Sequence, residues 1–372
     1  MIKVMTLFGT RPEAIKMAPL VKALEADPEI QSVVCVTAQH RQMLDQVLDL
    51  FDIKPKHDLN IMKAGQTISE ITSRVILGVE SVLKEEKPDI VLVHGDTSTT
   101  FAGAIAAFYQ MIPVGHVEAG LRSGNPYSPY PEEMNRRLTS QLSALHFAAT
   151  EGNVENLKKE GINVQSIVKT GNTVIDALMT VIREDYTFEN PLLNTIDYEN
   201  RKVILMTAHR RENLGEPMEN IFGAVRKIVE DHEEVEVVFP IHMNPAVRAI
   251  ADKHLSGHDR IHVIEPLEYE SFANLQNRCA LIMTDSGGIQ EEAPALGKPV
   301  VVLRTETERP EAVEAGTVVV AGVEFEAIYR ITSQLIRDEA TYKSMSEAVN
   351  PYGDGKACGR IVDAIKNWRN SK

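Results

Sequence analysis

An α/β protein with two Rossmann-like, doubly wound domains facing a cleft is predicted for this chain of 372 residues on three observations. Short, near-continuous apolar runs alternate with helical patterns, the grammar of parallel sheets covered on both faces. The grammar restarts after residue 170, past a first full set of strands. The unusual polar residues fall just beyond the predicted strand ends, where open α/β sheets bind ligands, so two such domains would offer a site between those ends.

The elements follow in order. Ile2 to Phe8 is an apolar strand, and Gly9-Thr10-Arg11-Pro12 turns into a helix with Ile15, Leu20, Val21 and Leu24 on one side. Val33 to Thr37 reads as a strand and Arg41 to Leu50 as a helix. A long amphipathic helix over 66–87 repeats Ile68, Ile71, Val75, Val79, Val82 and Leu83 at helical spacing. Asp89 to His94 is a strand stopped by Gly95, 98–109 an apolar helix, Ile112 to Val117 a strand and 132–144 a helix. Leu145 to Ala149 and Val164 to Val168 complete a first domain over 1–170. The polar stretch 185–200 reads as a loop. Strands at Val203 to Thr207, 235–239, 261–264, 280–284, 299–303 and 317–320 build a second domain over 171–354, and 356–369 is a closing helix.

Composition narrows the classes of function. With 39 basic against 53 acidic residues the net charge is -14, which repels a phosphate backbone, and no basic stripe compensates. Nucleic acid is therefore not an expected partner. Aromatics at 5% count against a base-stacking platform. Cys35, Cys279 and Cys358 carry no ligand spacing, and the first two sit in apolar runs as small core residues. No signal-peptide core precedes Gly9 and no apolar run is long enough for a membrane span, so the expected location is the cytoplasm.

Each strand end carries chemistry with a plain structural alternative beside it. Gly9-Thr10-Arg11 opens a helix, so free N–H groups and the Arg11 guanidinium suit a phosphate, or it is simply a tight turn. Lys16, one turn on, reaches the same anion or is a solvated lysine. No G-x-G-x-x-G is present, which disfavours a bound dinucleotide. Asp96 follows a strand, as a site carboxylate or as a helix N-cap. Glu118, between Val117 and Ala119, is not placed like a solvated surface acid. Glu132 opens a helix after a loop rich in glycine, proline and tyrosine, where the dipole favours an acid in any case. Asp96, Glu118 and Glu132 form an acid–base set, and the histidines do not join them at metal-ligand spacing. No metal is expected.

In the second half His209 ends a strand as a phosphate donor or proton carrier, followed by Arg210, and His242 holds the matching place on a neighbouring strand. Thr284-Asp285-Ser286-Gly287-Gly288 ends a strand and enters a helix, as an anion nest or a helix-opening turn. Glu292 stands one turn further in, suited to a ribose diol, and 304–311 is a charged loop suited to a lid.

Taken in order, GTRPE, HGDT, HVEAGLRSG, PEE-N-R, TAHRREN and TDSGG-QEE-P-LGKPV resemble the non-hydrolysing UDP-N-acetylglucosamine 2-epimerases over almost the whole chain. The nest alone recurs among two-domain glycosyltransferases of the GT-B architecture; the acidic set of the first half does not. The resemblance implies the GT-B-type fold, a homodimer and a last helix, here 355–372, packed back on the first domain. It implies interconversion of UDP-GlcNAc and UDP-ManNAc without NAD, metal or other cofactor, by elimination of UDP to 2-acetamidoglucal and re-addition to the opposite face.

Carried over by motif, the resemblance makes Lys16, Asp96, Glu118, Glu132 and His209 catalytic, without assigning the carboxylate that takes the C2 proton. It has His209 and Arg11 stabilise the departing diphosphate, Ser286, Gly287 and Gly288 hold phosphate, Glu292 hold ribose and Phe272 border uracil. It also implies a second UDP-GlcNAc as allosteric activator on Gln39, Gln42, Glu132, Arg210 and His242. Ala64-Gly65 departs from relatives that carry a charged pair there, which removes one activator contact. Domain closure over the substrate is expected, to shield the intermediate from water. The competing readings are a hydrolysing epimerase that releases ManNAc and UDP, a glycosyltransferase of the same fold and a non-enzymatic nucleotide-sugar sensor.

Overall fold

The computed structural model describes residues 1–38, 41–63 and 65–371. It divides into two compact units, Met1–Thr180 with Tyr352–Lys372, and Val181–Pro351.

The first unit is built on a seven-stranded sheet in the order β3-β2-β1-β4-β5-β6-β7. Its strands are β1 (Ile2–Phe8), β2 (Ile30–Val36), β3 (His57–Asp58), β4 (Ile90–His94), β5 (Val114–Ala119), β6 (Leu145–Ala148) and β7 (Ile167–Lys169). Every pairing is parallel. Among its helices are α1 (Arg11–Ala26), α2 (Arg41–Leu50), α3 (Ile68–Glu86), α4 (Ser98–Tyr109) and α5 (Glu132–Leu142). Met5, Leu7, Val91 and Val93 pack against Val75, Val79 and Leu83 of α3 and the alanines of α4. Helix α4 lies close on β1 because it is made of small residues: a Cβ on Gly103 would stand 2.2 Å from Leu7 Cδ2.

The second unit repeats the plan with six parallel strands in the order β10-β9-β8-β11-β12-β13. These are β8 (Lys202–Thr207), β9 (Val235–Pro240), β10 (Ile261–Ile264), β11 (Leu281–Thr284), β12 (Val300–Val302) and β13 (Val318–Val320). Its core gathers Ile204, Met206, Phe239 and Met283 from the strands with Ile221, Phe222 and Val225 from a covering helix. In each sheet the winding reverses once, between β1 and β4 and between β8 and β11. Those are the topological switch points at which doubly wound sheets bind ligands.

Several local outcomes differ from the pattern reading. The strand expected from Ile112 starts at Val114, because Met111 turns with φ 55 and Pro113 has no N–H for a ladder. At its other end the strand continues through Glu118 to Ala119. The loop 185–200 contains a 3₁₀ turn, Pro191–Asn194, and packs Phe188 and Tyr198 beneath the Arg278 guanidinium, 4.9 and 5.8 Å from the ring centres. His232 is buried and meets Ser333 Oγ at 3.1 Å, and His262 meets Glu236 at 2.5 Å. All three cysteines are buried.

The closing helix, Ala357–Asn370, packs on α1, and Asp176 accepts hydrogen bonds from its first amides, Ala357 N at 3.1 Å and Cys358 N at 2.9 Å. No helix among the described residues is long and apolar enough to cross a membrane.

Candidate functional site

The first unit's candidate residues gather at the β1/β4 switch point and along the end of β5. Thr10 and Glu13 form a capping box at the start of α1. Glu13 is fully buried and accepts from Gly9 N (3.1 Å), Thr10 N (2.8 Å) and Thr10 Oγ1 (2.8 Å) with one oxygen. Its other oxygen accepts from Thr97 Oγ1 (2.7 Å) and Thr100 Oγ1 (3.2 Å), in the turn beyond β4. Burial pushes its pKa up, and these neutral donors only partly offset that. Arg11 is the first residue of α1 and half-buried; Lys16 lies just over a turn further in.

Glu118 is the strained residue of this region. The β5–β6 register shifts between Val117 and Ala119, and Glu118 sits in that bulge with φ 62, the left-handed region that a side chain enters at a cost of about 1–2 kcal/mol. Gly120, at φ +90, allows the same contortion, since a Cβ there would lie 2.3 Å from the Asn153 carbonyl oxygen. The bulge aims the Glu118 carboxylate at Lys16 Nζ, with which Oε2 makes an ion pair, and Asn172 Nδ2 donates to the same oxygen at 2.8 Å. His94 Nε2 lies 3.8 Å from it. Burial depresses the His94 pKa to about 4, so that ring is neutral.

Asp96 is not the cap of α4: Thr97 is, its hydroxyl accepting from Thr100 N at 3.1 Å. The Asp96 carboxylate instead pairs with Arg136, at 2.8 Å from Nε and 2.6 Å from the terminal nitrogen, and Asn135 Nδ2 donates to its carbonyl at 2.9 Å. Helix α5 thus supplies Asp96's support, and its adjacent glutamates are split by burial. Glu132 opens the helix with Oε2 buried and without a hydrogen-bond partner. Glu133 is fully buried and accepts from Ser123 N (2.9 Å), Gly124 N (3.3 Å) and Arg137 Nε (3.0 Å), tying down the loop before the helix. Burial works to raise its pKa, but these donors with Arg136 outweigh it and hold the carboxyl below its usual range.

In the second unit the organising group is Asp285, completely buried beyond β11. Its Oδ2 accepts from His209 N (2.8 Å), Arg210 N (2.8 Å) and Asn213 Nδ2 (3.2 Å), and Oδ1 lies 3.1 Å from His209 Nδ1. Burial opposes ionisation, yet His209 and the backbone amides hold its pKa below the ordinary value. The carboxylate thereby sits beside Nδ1 of the His209 ring, with Nε2 on the ring's other edge. His242 is exposed and stacks on His209 at a centroid distance of 5.5 Å and 21°. Arg210 is half-buried, its Nε 3.3 Å from the Asp285 carbonyl.

Ser286, Gly287 and Gly288 lead into the short helix Ile289–Ala295. The Ser286 amide already donates to Thr284 Oγ1 at 2.9 Å. Neither glycine needs a positive φ, and a Cβ on Gly287 would stand 3.8 Å from Arg309 and one on Gly288 3.8 Å from Glu292, ordinary contacts. The chain's own packing therefore does not demand these glycines. Glu292 accepts from Gln276 Nε2 at 3.1 Å, and Phe272 lies half-buried on the same helix as Gln276. Arg304 is anchored to Glu212 at 2.7 Å, tying the loop after β12 to the one after β8.

Gln42 is exposed on α2, while Gln39 and Ala64 lie outside the described residues. Elsewhere His57, Glu85 and Glu86 bring metal-type ligand atoms within 4.8 Å of one another, but Glu86 is already paired with Lys56 at 2.6 Å and His57 at 2.7 Å. Reading by motif did not single out Glu13, His94, Arg136, Glu133 or Asp285 as site residues. Asp285 carried a usable signal, an acid directly at a strand end, and Glu13 another, the Thr-x-x-Glu of a capping box.

A family profile described as UDP-N-acetylglucosamine 2-epimerase matches residues 22–366. The chain is 60% identical over 364 residues to the UDP-N-acetylglucosamine 2-epimerase of Bacillus subtilis, covering 98% of this chain and 95% of that one. It resembles the crystal structure of UDP-GlcNAc 2-epimerase from Neisseria meningitidis bound to UDP-GlcNAc, with TM-score 0.87, 52% identity and coverage of 98% and 100%. It also resembles the Methanocaldococcus jannaschii UDP-GlcNAc 2-epimerase in complex with UDP-GlcNAc and UDP, with TM-score 0.78, 35% identity and coverage of 98% and 100%.

Proposed function

The chain belongs to the UDP-N-acetylglucosamine 2-epimerase family, and from that premise we propose that it interconverts UDP-GlcNAc and UDP-ManNAc without net hydrolysis. The observation that carries this reading is Glu118, held at φ 62 in a strand bulge and set between Lys16 and Asn172. Backbone strain kept at a carboxylate is explained by a task that needs the group there.

The sugar's C2 proton is only weakly acidic, because C2 carries the acetamido nitrogen and neither neighbouring carbon is a carbonyl. Elimination solves this. A carboxylate of the set Asp96, Glu118 and Glu132 takes the C2 proton, the C–H electron pair forms the C1=C2 bond, and the C1–O bond to UDP breaks. UDP adds back after the proton returns on the opposite face. The negative charge that grows on the departing diphosphate is met by Arg11 at a helix start and by His209, whose ring Asp285 orients. Ser286, Gly287 and Gly288 take phosphate, Glu292 the ribose and Phe272 the base. A second UDP-GlcNAc acts as activator through Gln39, Gln42, Glu132, Arg210 and His242, and the enzyme works as a cytoplasmic homodimer.

Proton NMR of the protein with UDP-GlcNAc in D₂O, without added NAD or metal, tests this. UDP-ManNAc carrying deuterium at C2, with little free UDP, is the expected result. Accumulating ManNAc and UDP would instead make it a hydrolysing epimerase, and an unchanged spectrum would overturn both.

A further inference from the structure

His94 ends β4 with its side chain all but sealed from solvent, and its Nε2 has no hydrogen-bond partner. An unpaired buried ring nitrogen is costly, so its retention next to a carboxylate calls for an explanation. The groups that face it are Glu118 and His116 on β5, Lys16 on α1 and Asp96 in the turn after β4. With burial holding the imidazole neutral, one ring nitrogen bears a lone pair. Glu118 Oε2, 3.8 Å from Nε2, is at present claimed by Lys16 and Asn172, the arrangement of a charged carboxylate. Once Glu118 gains a proton, the new O–H needs an acceptor, and the Lys16 ammonium has no lone pair to serve as one.

We propose that His94 is a positioning residue for the proton carried by Glu118: its bare Nε2 accepts the Glu118 O–H as Lys16 moves off the carboxyl. The proton is never passed to the ring, so His94 gains and loses no charge. The interaction exists only in the protonated state, and an interaction of that kind lowers the barrier instead of merely tightening substrate binding. It also steadies the neutral acid, so its loss makes Glu118 a stronger acid. The inference rests on the proposed elimination with Glu118 in the proton-carrying set.

The test compares wild type, His94→Phe and His94→Gln in the D₂O exchange assay. Phe fills the space without an acceptor; Gln offers an amide oxygen near the place of Nε2. His94→Phe is expected to lose about tenfold in kcat with little change in KM, and its acidic kcat/KM limb is expected to move down by about one pH unit. His94→Gln should recover most of the rate and the limb. Unmoved kcat and limb in His94→Phe overturn the proposal, as does a Gln variant as impaired as Phe. Long-range ¹H–¹⁵N spectra of ¹⁵N-histidine wild type, with the ring assigned by its disappearance in His94→Gln, read the tautomer without any demand on the folding of the Phe variant. An unprotonated Nε2 is expected, and a protonated one overturns the proposal. A wild type that turns over no UDP-GlcNAc would remove the epimerase reading itself, a result separate from each of these.

Discussion

Glu13 in the first unit and Asp285 in the second hold corresponding places, each a buried carboxylate at the point where the sheet's winding reverses. Glu13 comes from the helix after β1 and reaches the turn beyond β4; Asp285 comes from the turn beyond β11 and reaches back to the loop after β8. Both tie the two strand-end turns together. Their partners differ in kind. Glu13 has backbone amides and threonine hydroxyls, and burial wins, raising its pKa. Asp285 has amides and an imidazole that can carry charge, and its pKa is lowered. Neutral hydrogen bonds alone do not offset the desolvation of a carboxylate here, whereas a single ionisable partner tips the balance. A staple of main chain and hydroxyls sets shape; one that includes a histidine also places a charge beside that ring.

That contrast is sharpest under isosteric substitution. Asp285→Asn removes the acceptor that orients His209, and turnover is expected to fall about 10²- to 10⁴-fold while UDP binding persists, measured by steady-state kinetics and calorimetry. Glu13→Gln should act mainly on folding, lowering stability by about 1–3 kcal/mol in a denaturant melt with less than tenfold loss of kcat. A Glu13→Gln variant of normal stability that loses as much turnover as Asp285→Asn would erase the distinction between the two staples.

Mild acid separates the units more gently. The first unit buries His94, depressed to about 4, His116, depressed to about 3, and His146, also depressed, each chiefly by burial. A ring whose folded pKa lies below its unfolded value binds a proton more readily after unfolding. Stability contributed by keeping it neutral is therefore complete above the unfolded value near 6.5 and falls as pH drops from there, by about 1.4 kcal/mol per pH unit for His94 and for His116 until the folded value is reached. Among the described residues of the second unit, His232 is the histidine shifted in the same sense. Hydrogen exchange at pH 5 is expected to show amides of β4 and β5 losing protection before those of β8 and β11. Uniform loss across both sheets would mean that the buried rings do not govern acid sensitivity.

Much of this molecule is local and was legible as such. Hydrophobic period distinguishes strand from helix without knowledge of neighbours, so α2 and α4 occupy the residues that periodicity predicts, and the strand-end residues stand at strand ends. What failed was also physical. Met111 and Pro113 delayed the start of β5 by two residues, and a bulge within the strand holds Glu118, local effects that apolar runs do not report. Asp96 and Thr97 are both good caps, and only the backbone path decides that the threonine does it.

The sequence by itself determined the doubly wound plan, the ring of polar residues beyond the strands and, through its motifs, the family, because each depends on short stretches or on residue identity alone. Tertiary structure decided the ionisation and aim of those residues. Lys16 meets Glu118 across 102 residues, Asp285 reaches His209 across 76, and Glu133 rather than its neighbour Glu132 is wholly buried as the loop anchor. Charge state and hydrogen-bond partner depend on burial and on distance in space, and packing alone supplies both.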